Sequence, residues 1–111
     1  MANYLLQLSY TPAAWAAMVK NPQNRSAAVK GVIEKLGGSI EGFWLAFGDH
    51  DVVGVIDMPD NVSAAAFSMA IGAGGACTGI KTTPLLTIED GMAAMKKAGT
   101  SGYKPATAKK K

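Results

Sequence analysis

Hydrophobic and polar residues alternate near the start of this chain, then recur at helical spacing, and the period changes over several times along its length. Tyr4, Leu6, Leu8 and Tyr10 fall on one side of an extended segment, with Leu5, Gln7 and Ser9 on the other, which predicts a first strand over 4–10. Thr11-Pro12 supplies a capping hydroxyl and a proline suited to the first helical position, so a short alanine-rich helix is expected over 13–20. Asn21-Pro22 interrupts it, because proline lacks the N–H donor and pushes its predecessor out of helical geometry. A second helical segment over 24–36 carries Val29, Val32, Ile33 and Leu36 on one face and stops at Gly37.

Strand patterns return over 39–47 and 52–58, joined by Gly48-Asp49-His50-Asp51 as a tight hairpin. Pro59 ends the second of these strands, and Asp60 caps a helix over 61–73 that Gly74-Gly75 closes. A fourth strand is expected from Cys77 or Thr78 to about Thr83. Thr87, with Asp90 three residues on, opens a last helix that runs through Lys97 and stops at Gly99. The order is β-α-β-β-α-β with a terminal helix, an α+β chain of ferredoxin-like pattern with a four-stranded antiparallel sheet. One domain is expected over 1–98, followed by a disordered Lys-rich tail over 99–111.

In that pattern the helices cover one face of the sheet and leave the other bare. Val52, Gly54, Ile56 and Met58 share one side of the third strand, yet Val53 and Val55 occupy the other. In the second strand Ile40, Trp44 and Ala46 are expected opposite Phe43, Leu45 and Phe47. A bare face this apolar is too large for a soluble monomer, so self-association through the sheet is expected, with the terminal helix as the alternative cover.

Composition narrows the function classes. The 111 residues are 49% hydrophobic, enough to bury a core without disulfides, and no apolar run reaches the ~20 residues of a membrane span. Met1-Ala2-Asn3 leads straight into the first strand without the basic segment and cleavage site of a signal peptide, so a cytoplasmic location is the expectation. The net charge of +3 is misleading, because Lys104, Lys109, Lys110 and Lys111 lie at the end; the seven other cations face eight acids. Lys81 and Arg25 stand apart rather than forming a basic face, so neither a specific nucleic-acid partner nor a membrane partner is expected. Cys77, the single cysteine, reads as a small buried hydrophobe.

Asp49-His50-Asp51 is the strongest titratable cluster and supplies the candidate catalytic residues, since a histidine oriented by a carboxylate can act as a general base. Neighbouring residues of an extended chain point to opposite faces, so only a turn could bring the three together; the alternative is a solvated hairpin tip. One histidine with two aspartates makes at most a weak, open metal site, and no metal is expected. Tyr4, Tyr10, Phe43, Trp44 and Phe47 could line an apolar ligand pocket, with Lys81 as an anion contact, or form core and subunit interface instead. Gly72-Ala73-Gly74-Gly75-Ala76 follows a helix rather than opening one and lacks Gly-Lys-Ser/Thr, so it is no phosphate loop, and the sequence names no cofactor.

The run Asn3 to Thr11, Arg25, Leu36-Gly37-Gly38, Gly48-Asp49-His50-Asp51-Val52-Val53, Pro59-Asp60-Asn61 and Ile80-Lys81-Thr82-Thr83-Pro84-Leu85-Leu86-Thr87 resemble the GYD-domain proteins over residues 3–98. The family hairpin commonly reads Gly-x-Tyr-Asp, so His50 stands in the place of the tyrosine. That resemblance implies a dimeric α/β-barrel type of assembly and no particular activity. The reading that follows is a self-associating domain that binds a small molecule between sheet and helices. A cofactor-independent or His-assisted enzyme, and an effector-sensing regulatory module, are the alternatives.

Overall fold

The computed structural model describes residues 2–107. Its elements are β1 (Ala2–Tyr10), α1 (Pro12–Lys20), α2 (Ser26–Lys35), β2 (Ser39–Leu45), β3 (Val52–Met58), α3 (Asn61–Ala73), β4 (Cys77–Leu85) and α4 (Ile88–Gly99). The strands form one antiparallel sheet in the order β2-β3-β1-β4, which fits the ferredoxin-like arrangement. The three expected caps form: Thr11 accepts from the Ala14 N–H, Asp60 from Ser63 and Thr87 from Asp90. β4 reaches Leu85, beyond its expected end, and accommodates Pro84 because it is an edge strand. Residues 100–107 follow α4 without helix or strand and are exposed, and residues 108–111 of the expected tail lie outside the described residues.

The core lies between the sheet and helices α2 and α3. Leu6, Leu8, Val52, Ile56 and Met58 point into it from the strands, and Val29, Ile33, Ala64 and Phe67 meet them from the helices. Each of the larger side chains is worth about 1.5–3 kcal/mol when taken fully out of water. Gly37 ends α2 with φ +88°, a conformation that other residues adopt only with strain, and the Gly38 N–H returns to the Ile33 carbonyl.

One expectation about β2 is corrected. Simple alternation put Ile40 on the same side as Trp44. A bulge at Glu41 adds one residue there, so Ile40 pairs with Ile56 and Gly42 with Val55. Past the bulge every side chain changes face. Ile40, Phe43 and Leu45 therefore share the helix-covered side, and Trp44 lies on the open side with Val53. β2 also ends at Leu45, and Phe47, expected within it, is fully exposed on the connection to β3.

Candidate functional site

Aromatic side chains gather where β1 ends and the β2–β3 hairpin turns back, on the helix-covered side of the sheet. Phe43 pairs in register with Gly54, and a methyl on Gly54 would lie 3.1 Å from its ring, so the bare glycine lets the ring settle across β3. Tyr10 closes β1 and Trp15 lies within the first turns of α1; their rings meet edge to face with centroids 5.3 Å apart.

Asp51 ties these parts together. Its Oδ2 accepts from the Tyr10 backbone N–H at 2.9 Å and from the Trp15 indole N–H at 3.2 Å. Its own N–H donates to the Leu8 carbonyl, and its carbonyl accepts from Ala46. One residue thus fastens the hairpin, the end of β1 and the first helix. α1 has no buried residue and stands off the sheet. Between them lies a cavity of about 320 Å³, walled by Tyr10, Trp15, Met18, Val19, Phe43 and Leu45. Pro22, Gln23, Asn24, Arg25 and Ser26 form its rim.

The rim is held by a local turn. Asn24 Oδ1 accepts from the Ser26 N–H and hydroxyl, closing the entry to α2 from two residues upstream. Arg25 occupies the N-cap position without capping the helix, and its guanidinium has no acceptor among the described residues. Burial pushes the Tyr10 phenol above its ordinary value; the nearby thiol of Cys77 and the Asp51 carboxylate add to this, and Arg25 opposes it. The hydroxyl therefore remains a neutral donor. Burial likewise raises the half-buried Cys77 thiol, which stays protonated beside the core.

The GYD-domain family model matches residues 4–95. This chain belongs to the GYD-domain family. No curated protein and no solved structure matches it. In this GYD domain the β2–β3 hairpin lies beside the cavity, and its Asp51 holds the Tyr10 and Trp15 rings that wall it. The hairpin does not bring Asp49, His50 and Asp51 to one point: Asp51 is engaged with Tyr10 and Trp15, Asp49 is exposed and His50 half-exposed. No hydrogen bond or ion pair joins His50 to either aspartate among the described residues. Nor do three His, Cys, Asp or Glu side chains come together there as a metal site.

Of the aromatic candidates, Tyr10 and Phe43 reach the cavity. Tyr4 is buried in the core, its hydroxyl donating to Asn61 Oδ1. Trp44 and Lys81 lie on the open face of the sheet, and Phe47 on the hairpin. Sequence reasoning missed Trp15, Met18, Val19 and the rim. The spacing 15, 18, 19 is a helical stripe that an alanine-rich segment partly conceals.

The open face of this GYD domain has an apolar centre of Leu5, Val53, Val55 and Trp44, the indole lying over Gly42 where a side chain would collide with it. At one end the Asn3 amide donates to Glu41 Oε2 at 2.8 Å, beside the carboxyl group of Asp57. Asp57 raises the Glu41 carboxyl above the usual glutamate range, by hydrogen bonding to it and then by its charge, with desolvation adding and Asn3 opposing. The folded chain thus holds that proton more tightly than the unfolded chain. The associated stabilisation is full below the ordinary glutamate range and is lost as pH rises through the raised value. Glu41→Gln removes this loss: its Tm advantage over the unmodified chain should grow from about pH 4 to about pH 8 in thermal unfolding. A constant difference across that range would contradict the pairing.

Proposed function

We propose that this GYD domain is a small-molecule-binding subunit of a self-associated assembly, with the ligand held in the cavity beneath α1. The observation that carries the reading is that cavity, apolar in its walls and polar at its rim, as ligand sites are. A second cavity of about 380 Å³, where β4 passes into α4, has no aromatic wall and lies in ground that α4 leaves uncovered. His50 is outside the lining of the aromatic cavity, which favours binding over a His-assisted reaction.

Two unpartnered apolar surfaces support the assembly. One is the open sheet face. The other is the stripe Ile88, Met92 and Met95 of α4, each more than half exposed, on a helix with no buried residue. Four strands about 4.8 Å apart and about 25 Å long offer roughly 450 Å² per copy, so two faces together hide about 900 Å², short of the ~1,200 Å² of a stable interface. The α4 stripe, about 18 Å by 10 Å, brings the total to about 1,250 Å². Charge on the open face is also self-complementary. Lys81 stands on β4, across the sheet from the Glu41–Asp57 pair, so a two-fold contact can set the cation of each copy toward the acids of the other.

Mass spectrometry of the purified protein under non-denaturing conditions tests both halves. The expected result is a dimer or larger closed assembly that retains a small molecule, and Leu45→Trp, which fills the cavity, should release that molecule and keep the assembly. A monomer at micromolar concentration would overturn the assembly. Retention of the same molecule by Leu45→Trp would move the site elsewhere.

A further inference from the structure

We infer that the cavity beneath α1 takes a small aromatic carboxylate, with its ring against Tyr10, Trp15 and Phe43 and its charge on Arg25. The inference rests on the binding role proposed above and adds the chemical class of the ligand. About ten waters would fill 320 Å³, which places the cavity at the small end of ligand sites and suits a one- or two-ring molecule. Three rings from separate elements offer both faces and edges, the arrangement on which a planar apolar group packs best.

Charge selects the other end of the ligand. Among the described residues, Arg25 is the one cavity-lining side chain that carries a formal charge. Asp51 lies behind the aromatic floor, its Oδ2 already accepting from two N–H groups, and Cys77 is a protonated thiol. A cationic ligand would be repelled by the guanidinium, and a neutral one would leave it facing only water. A phosphate ester asks for more positive charge than one arginine supplies. A carboxylate matches the flat two-pronged guanidinium, and the neutral Tyr10 hydroxyl stands near as a further donor.

Trp44→Phe leaves Trp15 as the single tryptophan, since Trp44 lies on the opposite face, and makes its fluorescence a reporter of the cavity. Hydrocinnamate and its uncharged counterpart, hydrocinnamyl alcohol, are titrated into this full-length variant. The expected result is quenching of Trp15 by both, with the carboxylate binding at least ten-fold more tightly, and loss of that preference in Arg25→Gln. Arg25 is exposed, so circular dichroism should be unchanged by its replacement. Equal binding of acid and alcohol, or a preference that survives Arg25→Gln, would overturn the carboxylate assignment and leave the binding role standing. Quenching by neither probe at millimolar concentration would overturn the aromatic carboxylate, while the binding role itself would fall only if the unmodified protein also retained no small molecule in the mass spectrum.

Discussion

Val53→Lys should give a folded chain that cannot form the proposed assembly, and Ile56→Lys should give a chain that does not fold. The two positions are three residues apart on β3 and similar in sequence character, but the register sends them to opposite faces. Val53 pairs with Gln7 and Trp44 on the open face, where a lysine can extend into water in the monomer. Covering that lysine with a second copy would desolvate it against its own image, at several kcal/mol per ion. Ile56 is fully buried beside Tyr4 and Ile40, and among the described residues no carboxylate is buried in the core to receive an ammonium group. A desolvation cost of several kcal/mol is comparable with the whole stability of a small domain, about 5–15 kcal/mol. Light scattering should report half the mass of the proposed assembly or less for Val53→Lys, with its circular dichroism retained. Val53→Lys at full assembled mass would show that the open face is not the interface.

Asp51→Ala should be the most damaging change within the candidate site. It leaves the Tyr10 N–H and the Trp15 indole N–H without their acceptor. Hydrogen bonds to a charged group contribute about 1.5–3 kcal/mol each, and partial exposure here sets the expected total near 3 kcal/mol. That corresponds to a fall in Tm of about 10 °C for a chain of this size. Hydrocinnamate affinity should fall with it, because Trp15 is no longer fixed. Asp51→Asn retains one acceptor oxygen and should lose about 1 kcal/mol. His50→Asn, one residue away, should stay within about 0.5 kcal/mol of the unmodified protein, since its side chain carries no hydrogen bond among the described residues. Thermal unfolding of the three variants separates the two halves of the hairpin signature. Equal losses for Asp51→Ala and His50→Asn would show that Asp51 does not anchor the site.

The elements and their order were legible because each rests on local chemistry. Alternation set β1 and β3, the side-chain oxygens of Thr11, Asp60 and Thr87 set three helix starts, and Gly37 set the end of α2. What depends on residues distant in sequence was not legible. The bulge at Glu41 is a property of the pairing between β2 and β3, and it decided which of Ile40 and Trp44 faces the helices. Asp51 is adjacent to His50 in the chain, but its carboxylate is claimed by an N–H at the end of β1 and another on α1, about forty residues upstream. The cavity is a gap between elements rather than a pattern within one, so Trp15, Arg25 and Phe43 become one site only when α1 is suspended over the sheet. Local propensity and periodicity act over a few residues, so the elements could be read directly from the chain, while its motifs carried the resemblance to the family. Register and the spacing of layers are collective outcomes of packing, so which side chains meet follows from the folded arrangement as a whole.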